Sequence, residues 1–380
     1  CVEDAVFVPT LRKDRNEPEA AVAALGRAYA YGVPVDWEAF FAGTGARRVD
    51  VPTYAFQHQH YWLRSSTGAA DAADLGLRPA AHPLLGAAME LAGGQGDVFT
   101  ARLGLDTHPW LAGHAVRGSV ILPGTAFVEL ALHAGVQVGC GCLEELTLSE
   151  PLVLPERNGV SVQLVVGPAD AEGRRPVTFH ARVDAADDEA WSTHATGTLV
   201  PGVAVPSAGP VAWPPQGAEE LAIDGLYADF ADGGFAYGPL FQGLRGVWRS
   251  GDEVFAEVAL PEDAAGEAGR FGLHPALLDA ALHALGVGGL LPEGAGGHLP
   301  FAWSGVSLHA SGASGLRVRL SRSDTGGVSL AVADGAGAAV LSVDSLVLRP
   351  VDGQAVVSGG VDRDCLFRLD WASVPMPMPT

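Results

Sequence analysis

Short segments in which apolar and polar residues alternate run through the middle of the chain. A period of two residues turns one side of such a segment toward a core and the other toward solvent, so it predicts β-strands. The predicted strands are Gly159–Val166, Val177–Val183, His194–Val200, Glu253–Leu260, Leu316–Ser321, Val328–Ala333 and Val340–Leu348. The chain also contains 50 glycines and 26 prolines, which favour tight turns between short elements.

Two segments follow the helical period instead. In Gly124–Val136 and in Pro275–Leu285 the apolar residues recur at the spacing of one helix face. Each predicted helix lies among several predicted antiparallel strands. One apolar helix wrapped by a curved antiparallel sheet, occurring twice, predicts the α+β class and a double hot dog architecture.

Changes of composition divide the chain. Small polar residues follow Arg64, and prolines cluster between Pro201 and Pro215, so we interpret both stretches as linkers. The first region also contains a predicted helix at Glu17–Tyr31, and the last a strand-like Leu366–Trp371. The predicted order is a leading region at 1–66, a linker at 67–81, a first hot dog at 82–205, a linker at 206–216, a second hot dog at 217–350 and a trailing region at 351–380.

Composition excludes several classes of protein. The formal net charge is −21, whereas binding phosphates needs concentrated Lys and Arg, so we expect no nucleic-acid partner. No apolar run reaches the roughly 18 to 20 residues of a membrane span, so we expect no membrane insertion. Four cysteines in 380 residues and the lack of a visible secretory leader favour the cytoplasm. Because the chain begins with Cys1, we expect a segment of a longer polypeptide.

The first candidate for chemistry is His114, because a glycine, a proline and a predicted helix follow it. The spacing is His114-xxx-Gly118-xxxx-Pro123-Gly124. Gly118 would allow close backbone approach, Pro123 suits a first helical turn, and a helix beginning near Gly124 presents free N–H groups. A carbonyl oxygen there would be polarised, and a neutral His114 imidazole could act as a base. A histidine that only packs in the core is the alternative.

The second candidate is Asp279, in the second turn of a predicted helix that is otherwise Ala and Leu. Burying an ionised carboxylate is costly, so such a site predicts a raised pKa and an un-ionised Asp279 that can donate its proton. His283 lies four residues later on the same helical face and would orient the carboxyl. An exposed Asp with a His partner is the alternative.

Together, an imidazole and a protonated carboxyl form a base–acid pair. Such a pair suits removal of a proton α to a carbonyl with protonation of a β-hydroxyl leaving group. The pattern therefore predicts dehydration or its reverse. Double-bond migration, epimerisation and oxa-Michael ring closure also need α-proton transfer and stay open, as does a catalytically silent structural domain.

Four motifs, in this order, resemble those of the dehydratase domains of modular type I polyketide synthases, which are related to the dehydratase of animal fatty acid synthase. The resemblance covers roughly residues 82–350. The motifs are His114-xxx-Gly118-xxxx-Pro123, Tyr237-Gly238-Pro239-x-Phe241-Gln242, His274-Pro275-Ala-Leu-Leu-Asp279-xxx-His283 and Leu299-Pro300-Phe301-Ala-Trp303. No catalytic motif position departs from the family pattern.

The resemblance implies a reaction and a role for each motif residue. A 3-hydroxyacyl thioester would lose water to give the 2-enoyl thioester during polyketide chain elongation, with His114 as base and Asp279 as acid. Tyr237 would line the substrate tunnel near the β-hydroxyl, and His283 would support Asp279. The other supporting or tunnel residues that the motifs imply are Gly118, Pro123, Gly124, Gly238, Pro239, Phe241, Gln242, Leu299, Pro300 and Trp303.

The resemblance also implies partners. The substrate would be tethered to the phosphopantetheine of an acyl carrier protein, with no intrinsic cofactor, and the domain would form a homodimer. Arg270 is a candidate contact for the acidic carrier protein, although a solvated arginine is the alternative we favour. No metal is predicted, because Cys140-Gly-Cys142 lacks further ligands at metal-binding spacing.

The flanks resemble neighbouring synthase domains. Asp36-Trp37 and Val51-Pro-Thr-Tyr-Ala-Phe-Gln57 resemble the tail of an acyltransferase domain and its following linker, without that enzyme's nucleophile motif. Phe367-Arg-Leu-Asp-Trp371 resembles the start of a ketoreductase region. These flanks predict neighbouring synthase domains as partners.

Overall fold

The structure, a computed structural model, describes residues 7–11, 13–47, 49, 76–184, 190–202, 212–291, 297–324 and 326–351. The chain divides into two units, Cys1–Arg64 and Ser65–Thr380. The sequence segments Val51–Gln57 and Leu366–Trp371 lie outside the described residues.

In its described residues, the first unit contains two helices, α1 (Glu17–Ala30) and α2 (Trp37–Phe41). The Asn16 side chain caps α1 by accepting a hydrogen bond from the Glu19 N–H at 3.4 Å, and Asp36 caps α2 in the same way. The helix predicted at Glu17–Tyr31 is confirmed and ends one residue earlier.

The described part of the second unit is built on one antiparallel sheet of 14 strands. Its strands from the N-terminal half are β1 (Arg78–His82), β2 (Leu85–Glu90), β3 (Asp97–Leu103), β6 (Cys142–Leu148), β7 (Val160–Val166), β8 (Arg175–Val183) and β9 (Ser192–Val200). Those from the C-terminal half are β10 (Glu219–Leu221), β12 (Leu244–Ser250), β13 (Glu253–Ala259), β14 (His298–Leu308), β15 (Gly315–Arg322), β16 (Val328–Ala333) and β17 (Ala339–Pro350). Every strand predicted between residues 159 and 348 is confirmed, with ends that shift by at most two residues.

The two halves join where β6 pairs with β14. The spatial order is β1-β2-β3-β7-β8-β9-β6 and then β14-β17-β16-β15-β13-β12-β10. Trp303 lies opposite Leu146 at this junction. Because the sheet continues through the junction, the two hot dogs have fixed positions relative to each other.

Each half has a central helix, as the apolar periodicity predicts. Helix α3 (Gly124–Gln137) is buried on nearly all sides, from Thr125 to Leu132. In the second half α5 (Pro275–Leu282) is buried along its whole length and is followed by α6 (Ala284–Val287). The predicted single helix Pro275–Leu285 is thus interrupted at His283, whose N–H bonds to the Ala280 carbonyl three residues back.

A second, three-stranded sheet connects the halves near these helices. It comprises β4 (His114–Val116), β5 (Ser119–Val120) and β11 (Phe235–Tyr237), in the order β11-β4-β5. A short helix, α4 (Leu226–Asp232), precedes β11. In the register of β11 with β4, Tyr237 lies opposite His114.

The predicted linker 67–81 is wrong at its C-terminal end. Strand β1 begins inside it, with Arg78 and Pro79 opposite Ala88 and Ala87 of β2. The proline and alanines of this segment give no alternating pattern, so its strand character comes from backbone pairing with β2 and was not visible in the sequence.

Candidate active site

His114 lies where a short 3-10 helix, Pro109–Gly113, meets β4, and its side chain is buried. Its Nδ1 lies 3.0 Å from the carbonyl oxygen of Ile121. A carbonyl can only accept, so Nδ1 carries the ring hydrogen and donates it. In the neutral ring Nε2 is then left with a lone pair, which is what a general base uses.

Asp279 is buried in the second turn of α5, beside two imidazoles. Its Oδ2 lies 3.8 Å from His114 Nε2 and 3.3 Å from His283 Nε2. Within the described part of the chain, neither Asp279 Oδ2 nor His283 Nε2 makes a hydrogen bond of regular geometry. A buried carboxylate oxygen without a regular partner is unusual, and here it is available to a substrate hydroxyl.

The ionisation of Asp279 differs from the sequence prediction. Burial raises the pKa of Asp279, but the neighbouring imidazoles of His114 and His283 lower it, and the net pKa lies below the ordinary value. The prediction of an un-ionised Asp279 is therefore wrong for the free site. The local sequence showed the apolar helix, whereas the opposing charge comes from His114, which is distant along the chain.

His114 and Asp279 line one cavity of about 640 Å³. Apolar side chains from both halves form much of its wall, including Phe127 of α3 and Leu282 of α5. Exposed charged residues also line it: Glu150, Asp229 and Arg349. The cavity thus reaches from solvent to the buried pair, and the two residues singled out in the sequence meet in it.

Tyr237 lines the same cavity. Its ring centroid lies 4.2 Å from that of His283 and 5.8 Å from that of His114. Burial and the nearby Asp279 and Tyr227 groups raise the pKa of Tyr237 well above its ordinary value. Its hydroxyl therefore keeps its hydrogen and is a donor for a substrate oxygen.

The rest of the Tyr237 motif is not among the described residues that line this cavity, so of the supporting or tunnel roles predicted for Gly238, Pro239, Phe241 and Gln242, a supporting role stays a prediction. After Tyr237 the chain turns toward the 3-10 helix at Pro109–Gly113, where the Gly238 N–H donates to the Gly113 carbonyl at 2.7 Å.

The residues that follow Tyr237 contact the site residues without lining the cavity. Phe241 is fully buried, with its ring centroid 5.2 Å from that of His114, and Gln242 Nε2 donates to the Tyr237 carbonyl at 2.7 Å. Pro239 borders a separate small depression together with Gly238.

The glycines of the His114 motif have different functions. Gly118 has a φ of +82° in the β4–β5 turn, and a Cβ there would meet nothing within 4 Å. Its conformation, not the predicted close backbone approach, explains the glycine. Pro123 precedes α3 as its cap, and Gly124, the first helical residue, lines the cavity. A Cβ on Gly124 would lie 3.1 Å from Pro300 Cβ.

The last motif divides between cavity and core. Leu299 and Pro300 line the cavity. Trp303 is fully buried in the core where β14 pairs with β6 and is not among the described cavity residues, so it does not line the cavity, and a supporting role for it stays a prediction. Residues along a strand alternate between faces, and a bulge of β14 between Pro300 and Ala302 shifts this alternation.

Arg270 lies away from this cavity. It ends a 3-10 helix at Ala265–Arg270, is exposed, and pairs with Glu267. It borders a second depression of about 590 Å³ that also includes Trp110 and His274. The predicted contact of Arg270 with a carrier protein stays a prediction.

Comparison with known proteins identifies the family. One model, described as a polyketide synthase dehydratase domain, matches residues 82–182, and another, described as a polyketide synthase dehydratase N-terminal domain, matches residues 206–357. A solved chain described under "dehydratase substrate selection for the borrelidin and fluvirucin polyketide synthases" is 48% identical with a TM-score of 0.70, and the match covers 74% of this chain and 100% of that one. The chain belongs to the dehydratase-domain family of polyketide synthases.

Other relatives agree with this assignment. The dehydratase domain from the terminal module of the rifamycin polyketide synthase is 49% identical with a TM-score of 0.69, over 74% of this chain and 100% of that chain. Polyketide synthase GfsA of Streptomyces halstedii is 58% identical over 98% of this chain, and the pikromycin synthase component PikAII of Streptomyces venezuelae is 49% identical over 98%. The chain spans 5% and 10% of the lengths of these two synthases.

Family membership confirms the predicted double hot dog architecture and the class of reaction. Dehydratase domains of polyketide synthases are hydro-lyases that act on 3-hydroxyacyl thioesters during chain elongation. The substrates of such synthases are in general carried on the phosphopantetheine of acyl carrier proteins. Within the described residues, no helix is long and apolar enough to cross a bilayer.

Two contributors to the site carried no signal in the sequence. The Ile121 carbonyl fixes the His114 tautomer, but a backbone group leaves no residue signature. Tyr227 lies against His283 from the short helix α4, and a helix of about two turns gives too little periodicity to be recognised.

Proposed function

We propose that this domain removes water from a 3-hydroxyacyl thioester carried by an acyl carrier protein, with His114 as the base and Asp279 as the acid. The observation that supports this assignment is the buried pair. His114 comes from the N-terminal half and Asp279 from the C-terminal half, and their Nε2 and Oδ2 atoms lie 3.8 Å apart in one cavity.

The start of α3 would activate the substrate carbonyl. The first N–H groups of a helix have no partner within the helix, and Gly124 lines the cavity at this point. A thioester oxygen placed here would accept hydrogen bonds from these groups and face the positive end of the helix dipole. The enolate-like charge that develops as the α-proton leaves would thereby be stabilised.

The two side chains would then complete the elimination. His114 Nε2 takes the α-proton, and the electron pair of the broken C–H bond forms the Cα–Cβ double bond. The Cβ–O bond breaks as the oxygen takes a proton from Asp279 and leaves as water. Because Nε2 and Oδ2 lie side by side, both act on one face of the substrate, and we expect a syn elimination.

The proton must return to Asp279 before the next turnover. The reaction leaves His114 protonated and Asp279 ionised, and the lowered pKa of Asp279 favours the ionised carboxylate in the free site. The proton can pass back across the 3.8 Å gap. An acyl chain that fills the cavity removes water, and a less polar site favours the neutral pair over separated charges. Substrate binding would thus return the proton to the acid.

The proposal extends to partners. We place the thioester on the phosphopantetheine of the carrier protein, entering from the exposed end of the cavity at Asp229 and Arg349. Every step uses side chains, backbone N–H groups and the substrate, with no intrinsic cofactor. A homodimer and neighbouring acyltransferase and ketoreductase regions follow from the family resemblance, and the cytoplasm from the four cysteines in 380 residues.

Product analysis tests the proposal. The domain is incubated with a synthetic 3-hydroxyacyl thioester, and the products are identified by mass spectrometry and NMR. We expect the 2-enoyl thioester, and its loss in the His114→Ala and Asp279→Asn variants. Asp252→Asn is the matched control, because Asp252 is an exposed carboxylate in the turn between β12 and β13.

Other products would contradict the assignment. A migrated double bond, an inverted centre or a closed ring, without the 2-enoyl thioester, would indicate isomerase, epimerase or cyclase activity. Absence of any product from the unchanged domain, with either configuration of the hydroxyl, would indicate a structural domain. Enoyl formation that survives both substitutions would contradict the roles of His114 and Asp279.

A further inference from the structure

The mechanism above does not use the partly buried polar contact of Tyr227 with His283. Tyr227 lies in α4 and is not among the described residues that line the cavity. Its hydroxyl oxygen lies 3.4 Å from His283 Nδ1 and 3.2 Å from the backbone nitrogen of Leu244. The two rings meet edge to face at a centroid distance of 5.6 Å. His283 is thus held between Tyr227 on one side and Asp279 on the other.

The direction of the hydrogen bond to His283 follows from the other partner of Tyr227. A backbone N–H can only donate, so the Tyr227 oxygen accepts from Leu244 and its own hydrogen remains available. Among the described residues, His283 Nδ1 is the acceptor recorded for that hydrogen. Burial raises the pKa of Tyr227, with the Leu244 N–H and the Arg245 charge opposing, so the phenol stays protonated.

This contact determines which nitrogen of His283 carries the ring hydrogen. If Nδ1 accepts from Tyr227, the hydrogen of the neutral ring lies on Nε2. Nε2 is the atom 3.3 Å from Asp279 Oδ2. His283 then presents a donor to the carboxyl. In the other tautomer Nε2 would present a lone pair and accept the proton that Asp279 must give to the departing hydroxyl.

We propose that Tyr227 is a positioning residue that fixes the tautomer of His283 and thereby keeps the proton of Asp279 directed at the substrate. The inference rests on the acid role of Asp279 in the proposed function. Tyr227 acts through His283 and does not touch the reacting atoms.

The groups that face this relay come from several elements. Asp279 lies on α5, His114 on β4 and Tyr237 on β11, with the Tyr237 ring centroid 4.2 Å from that of His283. Phe230 of α4 adds an uncharged ring 5.3 Å from His283. The charge of Arg245 acts on Tyr227. Of these groups, Tyr227 is the recorded hydrogen-bond partner of His283 Nδ1.

The tautomer can be measured in the unchanged domain. Nitrogen-15 NMR distinguishes a protonated ring nitrogen from an unprotonated one, and the spectrum of His283→Gln identifies the His283 signals. We expect an unprotonated Nδ1 and a protonated Nε2 in the substrate-free domain. The opposite tautomer would overturn the inference and leave the dehydratase assignment untouched, because this reading does not depend on activity.

The kcat of the Tyr227→Phe variant, measured across pH, tests whether Tyr227 affects the proton of Asp279. In Tyr227→Phe the Nδ1 lone pair loses its donor, so His283 is no longer held in one tautomer and its Nε2 can present a lone pair that takes the proton of Asp279. We expect kcat to fall by about tenfold, the equivalent of one hydrogen bond, and the alkaline limb of its pH profile to move to lower pH. In the His283→Gln background the same change should have little further effect, since both act through one path.

The contrary result is that Tyr227→Phe lowers kcat by the same factor at every pH, and by the same factor in the His283→Gln background. That result would show a merely structural role for Tyr227 and overturn the inference. Failure of the unchanged domain to form the enoyl product would instead contradict the proposed function. If Tyr227→Phe does not fold, the tautomer in the unchanged domain still decides.

Discussion

Thr125, at the start of α3, donates a hydrogen bond of 2.9 Å to the carbonyl of Pro275, at the start of α5. Thr125 is fully buried. Gly124, which precedes it, lines the cavity, and Asp279 lies one turn after Pro275. One side-chain bond therefore joins the helix that would polarise the substrate carbonyl to the helix that carries the acid.

Removing this bond should loosen the site. Thr125→Val keeps the shape of the side chain and removes the donor, so we expect a loss of about 1 kcal/mol of unfolding free energy and about a tenfold loss of kcat from misplacement of the two helices. Denaturant unfolding and steady-state kinetics measure these effects. Thr125→Ser retains the hydroxyl and should stay close to the unchanged domain; equal losses in both variants would contradict this role.

The close contact of Gly238 with Gly113 predicts that a side chain at position 238 destabilises the fold. A Cβ on Gly238 would lie 2.8 Å from Gly113 Cα, which is too close for either backbone to remain in place. We expect Gly238→Ala to cost about 1 to 3 kcal/mol of unfolding free energy and to lower activity by shifting Tyr237.

Gly266→Ala is the matched control for that change. A Cβ on Gly266 would meet nothing within 4 Å, so its unfolding free energy should stay within about 0.5 kcal/mol of the unchanged domain. Equal stability of the two variants in urea unfolding would show that Gly238 tolerates a side chain.

His274 predicts sensitivity to acid. Its Nδ1 accepts the Ala276 N–H at 3.2 Å as the cap of α5, and burial lowers the pKa of His274 from 6.5 to about 4. Between these two pH values the unfolded chain binds a proton that the folded chain does not. Stability is therefore lost as pH falls from about 6.5 to about 4, by up to about 3 kcal/mol.

His274→Asn should remove this dependence, because Asn caps a helix and does not titrate. The free energy of unfolding is measured with urea near neutral pH and again at a pH between the two pKa values. The difference between these two free energies should be smaller for the variant than for the unchanged domain. An identical difference for both would mean that another group causes the loss in acid.

The fold could be predicted from the sequence because its elements have strong local signals. The strand Val328–Ala333 alternates regularly and occurs where predicted, and α3 begins at Gly124 as the preceding proline indicated. The pairing of β6 with β14 could not be predicted, because neither strand encodes its neighbour. Strand β1 was missed because it lacks alternation.

The site was predictable to the extent that its residues lie in sequence motifs. His114 and Asp279 each belong to such a motif, and both line the cavity. Trp303 is part of a motif as well, but strand geometry and the bulge of β14 place it in the core. The ionisation of Asp279 depends on His114 across the two halves, so the composition of its own helix indicated the wrong direction.

Single-turnover rates of enoyl formation in a double-mutant cycle test the paired roles of His114 and Asp279 most directly. We expect His114→Ala and Asp279→Asn each to reduce the rate by about 10² to 10⁴, and the double variant to fall no further than the slower single variant, because the two groups serve one transition state. Retention of the full rate by either single variant, or losses that multiply in the double variant, would contradict the account.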